Sequence, residues 1–103
     1  MKVEIVAYYP HDHRKGSEVG TLHVKIFIGD VGIDLRGCSV KRKAYQYIIS
    51  GPVKYGYDSR SGKIKGYPAV RFLDEIHHKL FAHNLITKGR DFVKNYYENE
   101  GKK

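Results

Sequence analysis

Apolar and polar positions alternate from the start of the chain, with Val3, Ile5 and Ala7 on one parity and Lys2, Glu4 and Val6 on the other. A strand with one apolar face is expected there, ending near Tyr9-Pro10. His11 to Gly20 mixes His, Asp, Arg, Lys, Ser and Gly and reads as a connecting loop. The alternation is sharpest from Thr21 to Ile28, where Leu22, Val24, Ile26 and Ile28 share a face and Phe27 alone interrupts the polar one. Gly29-Asp30 predicts a two-residue hairpin loop, because glycine enters the positive-φ conformations that tight hairpins require. Val31, Ile33 and Leu35 form the returning strand. After Leu35 the apolar phase moves to Cys38 and Val40, with Gly37 at the change, which predicts a bulge or bend.

Lys41-Arg42-Lys43 then make a basic turn into a fourth strand over Ala44 to Ser50, in which Tyr45, Tyr47 and Ile49 share a parity before Gly51-Pro52. Val53 to Tyr67, rich in Gly, Ser and basic residues, reads as a long loop or flexible hairpin with its tip at Asp58 to Gly62. Ala69, Leu73, Ile76 and Leu80 recur at helical spacing, widened by Phe72 and Phe81, and predict a helix from about Ala69 to Leu85. Gly89 interrupts the pattern, and Phe92, Val93, Tyr96 and Tyr97 predict a second, short helix. The expected fold is α+β: a curved antiparallel sheet of four or five strands followed by C-terminal helical segments packed on one face. One domain is expected over residues 1–98, with a polar tail at 99–103.

The composition sharpens this picture. The chain has 103 residues, of which 41% are hydrophobic and 29% charged, values that fit one folded domain. Aromatic residues make up 13%, too much apolar bulk for a disordered chain. No apolar run approaches the roughly 20 residues of a membrane span, and the first nine residues lack a signal-peptide core. Cys38 is the only cysteine, so no internal disulfide can form and a reducing, cytoplasmic location is expected. A sheet this small has edges to protect, which favours a homodimer paired through sheet strands.

The net charge of +8 is unevenly placed. Between residues 41 and 71, Lys41, Arg42, Lys43, Lys54, Arg60, Lys63, Lys65 and Arg71 face a single acid, Asp58, and the same stretch holds Tyr45, Tyr47, Tyr55, Tyr57 and Tyr67. Cations that follow phosphates, interleaved with rings that stack on bases, make a nucleic-acid surface. The candidate contact set is Lys41, Arg42, Lys43, Lys54, Tyr55, Tyr57, Arg60, Lys63 and Lys65. For Tyr45 and Tyr47, core packing stands beside exposure on that surface as an open alternative.

Other chemistry finds weaker footing. His11-Asp12-His13, His77-His78 and His83 contain metal-binding side chains, but none of the helical histidines forms the i, i+4 pair that a shared site prefers. Cys38 lies in no catalytic motif and reads as a small strand residue, and Asp74 and Glu75 are adjacent and diverge on a helix. Neither a phosphate-binding glycine loop nor a hydrolase elbow is present. A non-enzymatic protein without metal or cofactor is expected, its partner nucleic acid, DNA or RNA. The alternative is a homo-oligomeric protein-interaction module without nucleic-acid binding, its charge serving solubility or an acidic partner.

The order of these features resembles the stage V sporulation protein G (SpoVG) family of small bacterial nucleic-acid-binding regulators. The resemblance runs through Val3-Glu4-Ile5, the Gly20 to Ile28 strand, Gly29-Asp30, the Val31 to Val40 return and Tyr47-Ile48-Ile49-Ser50-Gly51-Pro52. It continues in the basic Lys54 to Gly62 turn, Tyr67-Pro68-Ala69-Val70 and the aromatic end at Phe92 to Tyr97. It implies a sheet-and-helix fold, a homodimer built through strands, and DNA or RNA binding near the basic segment after the proline. Pro52 and Lys54 match the family's proline followed by a basic pair. Tyr55 departs from it where a second cation is common, and Arg60, Lys63 and Lys65 are the cations that restore the charge.

Overall fold

The structure, a computed structural model, describes residues 1–12 and 16–100. Six strands and one helix follow in order: β1 (Lys2–Pro10), β2 (Glu18–Ile28), β3 (Val31–Lys43), β4 (Gln46–Ser50), β5 (Val53–Asp58), β6 (Lys63–Pro68) and α1 (Glu75–Glu100). The first four pair as an antiparallel meander, β1-β2-β3-β4, and β5 and β6 form a separate two-stranded ribbon. The α+β class is as expected. Among the described residues the strands number six in two sheets, and the helical part is a single helix.

The β2–β3 hairpin turns at Gly29-Asp30, with Gly29 at φ 57° and Ile28 opposite Val31. At the phase change Leu22 faces Cys38 while Val24 faces Leu35, so β3 carries one extra residue. Gly37, at φ 83°, takes the left-handed conformation that this bulge needs. The bulge turns both Leu35 and Cys38 toward the helix. A second register shift between Ile5 and Ala7 inserts Val6 into β1. Consequently Tyr8, not Ala7, follows Val3 and Ile5 on the core face, and Tyr8 is buried.

The core lies between this face and α1: Val3, Leu22, Val24, Ile26, Leu35, Cys38, Val40 and Ile49 meet Phe81, Leu85 and Val93. Burial of Cys38 pushes its thiol up to about 11, which leaves it protonated and inert at neutral pH. The helix begins later than its apolar spacing predicts. Asp74 caps it, its Oδ1 accepting the N–H groups of Ile76 at 2.8 Å and His77 at 3.2 Å. The helix also continues through Gly89, because the missing Cβ lets the backbone settle on Leu22 and Ile49. Asn99 and Glu100, expected in the tail, are helical.

The stripe expected to be core, Leu73, Ile76 and Leu80, is instead 103%, 71% and 46% exposed. The helix runs alongside the strands: Lys88 Nζ donates to the Val3 carbonyl at 2.7 Å, and nine residues later the Tyr97 and Tyr8 hydroxyls meet at 2.7 Å. Ile76 therefore lies about 18 Å up the helix axis from Lys88. The sheet ends sooner, since β2 runs only two residues, about 7 Å, past Ile26, the partner of Val3. The first turns of α1 overhang the sheet.

Candidate nucleic-acid interface

The stretch read as a loop or flexible hairpin is a regular ribbon. Val53, Tyr55 and Tyr57 alternate with Lys54 and Gly56, a β-favouring pattern, and pair with β6 from Val53 opposite Pro68 to Asp58 opposite Lys63. Its tip is built on Asp58. The backbone carbonyl of Asp58 accepts the Gly62 N–H at 2.8 Å, and Gly62 takes φ 67° to complete the turn. The Asp58 carboxylate accepts from Lys65 Nζ at 2.8 Å, the Ser61 hydroxyl at 3.0 Å and the Arg60 N–H at 3.1 Å. The Lys65 ammonium foremost, then the Arg60 and Ser61 donors, hold this carboxyl below the ordinary aspartate range.

Directly opposed residues share a face, so the register sorts the ribbon's chemistry. Val53, Tyr55, Tyr57 and Ile64 fall on one face. Tyr55 and Tyr57 are each 72% exposed and Ile64 74%. Lys54, Lys63 and Lys65 fall on the other, with Tyr67 and Asp58. Gly66 lets side chains of the paired strand lie close across the ribbon: a Cβ there would meet Val53 Cγ1 at 2.9 Å and Tyr55 Cε1 at 3.3 Å. The ribbon is rooted by the Ala69 N–H donating to the Pro52 carbonyl at 2.8 Å. It projects from the body: the radius of gyration is 15.1 Å against about 13 Å for a compact chain of this length.

The basic end of β3 divides between two surfaces. Lys41 and Lys43 point to the sheet face away from α1, whereas Arg42 points to the helix side and lies 5.7 Å over the Tyr47 ring. Tyr47 is half-buried and stacks on Tyr97 at 6.0 Å, so it is a packing residue. Tyr45 sits in the β3–β4 turn, 98% exposed, beside Ala44 at φ 53°, and so does not share a strand face with Tyr47 as expected. Lys41 and Tyr55 do come together, as two walls of a recess of about 550 Å³ between β2, the β3 bulge and the root of β5. Glu18 and Ser39 complete it, with the Ser39 hydroxyl donating to Glu18 Oε1 at 2.7 Å and His11 Nε2 3.3 Å from Oε2. Sequence reasoning passed over both residues. They stand 21 positions apart, and only the β2–β3 register joins them.

Among the described residues no group of three His, Cys, Asp or Glu side chains is placed to hold a metal ion. His13 lies outside the described residues, His11 joins Glu18, and His77 Nδ1 lies 3.5 Å from its capping Asp74. His78 lines an apolar cavity of about 340 Å³ between the ribbon root and α1. His23, on β2, is buried against Asp34 of β3, and Arg36 Nε donates to Asp34 Oδ2 at 3.4 Å. The His23 hydrogen bond foremost lowers the Asp34 carboxyl. No described helix is long and apolar enough to cross a membrane.

The fold and site define an α+β domain bearing a projecting, basic and aromatic ribbon. No protein-family model, curated protein or solved structure matches the chain.

Proposed function

We propose that this chain is a non-enzymatic, cytoplasmic nucleic-acid-binding regulatory protein whose β5–β6 ribbon is the binding arm. The observation that carries this reading is the ribbon's two-sidedness: three lysines on one face, two exposed tyrosines on the other, and Arg60 at the tip. Such an arm sets cations against phosphates while its rings stack on bases or pack in a groove. Lys41 and Lys43 extend the cationic surface onto the sheet, and Arg42, held over Tyr47, stands on its other side. The resemblance to the SpoVG family points the same way. It also implies a homodimer through strands, for which β1, β4 and both ribbon strands each offer an edge.

The test is fluorescence anisotropy with labelled single-stranded DNA, duplex DNA and RNA over a salt series. Saturable submicromolar binding to one class is expected near physiological salt. The triple variant K54A/R60A/K63A should weaken every sequence and make the log–log salt slope shallower by about 2 to 3. An unchanged affinity and slope in that variant would remove the arm from the interface. The exposed Leu73, Ile76 and Leu80 favour a second reading, a protein-interaction module. It predicts no nucleic-acid binding even at low salt and a complex with protein that tolerates salt.

A further inference from the structure

The recess beside the arm has a chemistry of its own. We infer that it is a base-reading site that holds one unpaired guanine, an inference that rests on the nucleic-acid reading above and names the base it would select. Its volume of about 550 Å³ lies within the range of pockets that enclose small ligands. Its walls supply the three elements that recognition of an unstacked base requires: a ring to stack on, fixed polar groups for the base edge, and a cation for oxygen or phosphate. Tyr55 is the ring, Glu18 with Ser39 the polar pair, and Lys41 the cation. Gly37, whose φ of 83° disfavours any other residue, also lines the recess.

The polar pair decides which base fits. The Ser39 hydroxyl at 2.7 Å from Oε1 and His11 Nε2 at 3.3 Å from Oε2 hold the Glu18 carboxylate in place. Each carboxylate oxygen retains a second lone pair for a ligand. Guanine presents two adjacent donors on its Watson–Crick edge, N1–H and N2–H, which match the two oxygens of one carboxylate. Adenine and cytosine each place an acceptor nitrogen beside their amino group, and that lone pair would face carboxylate oxygen. Uracil and thymine offer a single N–H between two carbonyls. Guanine alone therefore satisfies the carboxylate twice, and its O6 is an acceptor for the Lys41 ammonium.

The experiment measures anisotropy of labelled oligothymidine strands that carry one central guanine, adenine or cytosine, with the unsubstituted strand as reference. The wild-type protein should bind the guanine strand about 5- to 100-fold more tightly than the others, the discrimination expected of one bidentate pair. E18Q keeps the side chain's shape but replaces one acceptor oxygen with a donor, and should bring that ratio toward one. Circular dichroism checks that it is folded. The arm variant K54A/R60A/K63A should weaken all strands and keep the ratio. Strand binding without base preference and without selective GMP binding, or a preference that survives E18Q, would overturn the guanine site and leave the arm standing. No binding of any strand at low salt would overturn the arm reading and the guanine site together. A parallel titration with GMP and AMP separates the sources: selective GMP binding lost in E18Q, with no preference among strands, assigns the recess to the free nucleotide.

Discussion

Three aspartates are the clearest single-residue devices in the molecule, and all three are pulled below the ordinary carboxylate range by local donors. Asp34 is held foremost by the His23 hydrogen bond, Asp58 by Lys65, and Asp74 by the N–H groups of His77 and Ile76. In the unfolded chain such carboxyls take up a proton near pH 3.9, and in the folded chain only at lower pH. Between those values the unfolded state binds more protons, so acid favours unfolding. Their contribution is fully present above the unfolded value and is lost as the pH falls through the folded ones. The urea midpoint should thus hold steady down to about pH 5 and decline below about pH 4, with D34N and D74N each flattening part of the decline. A midpoint as high at about pH 2.5 as at pH 6 would contradict this assignment. The same aspartates show what sequence can and cannot convey about a residue. Asp58 was visible as the sole acid in a basic run, but its role as the anchor of the ribbon tip depends on Lys65, Arg60 and Ser61 arriving around it.

Among the elements, α1 shows most directly how packing overrides local pattern. Glycine normally weakens a helix by about 1 kcal/mol relative to alanine, so Gly89 reads in sequence as a break. In the fold it is buried, and its helix-to-sheet contact is tight: a Cβ would meet Ile49 Cγ1 and Leu22 Cδ1 at 3.1 Å, so those side chains would have to give slightly. G89A sets a helix-propensity gain against this crowding and should be near neutral. G89L forces a large side chain into the same contact and should destabilise by roughly 2 kcal/mol, within the range for overpacked cores. Urea unfolding checks it, and a G89L protein as stable as wild type would mean that the helix does not sit so close. The β2–β3 hairpin and the bulge at Gly37 were legible beforehand because alternation and glycine placement report directly on register. The ribbon was only partly legible, since its glycines and charges resemble a loop when no partner strand is in view. The first helical turns misled for a different reason. Leu73, Ile76 and Leu80 have core-like spacing, but spacing does not reveal that the sheet beneath ends before they do.

For the molecule as a whole, the salt dependence of binding counts how many arms a complex uses. One arm offers Lys54, Lys63, Lys65 and Arg60, and Asp58 offsets part of the charge of Lys65. Counting the arm's contacts alone, three to four phosphates on duplex DNA contribute about −3 to the log–log slope, to which Lys41 and Lys43 add where they reach the backbone. A homodimer joined through the ribbon edges brings two arms side by side, with their lysine faces still free because strand pairing uses backbone groups and not side chains. Such a dimer engaging one duplex should double the arm contribution to about −6. Sedimentation velocity at the protein concentration of the titration supplies the stoichiometry. A dimer with the steeper slope supports paired arms on a single ligand, and E18Q should leave that slope in place because Glu18 carries no cation to a phosphate and a duplex offers its recess no unpaired base. A dimer that retains the shallow slope would instead mean that only one arm reaches the duplex, and that the strand-paired arrangement points the arms apart. A monomer with the shallow slope would keep the arm as the interface and discard the homodimer.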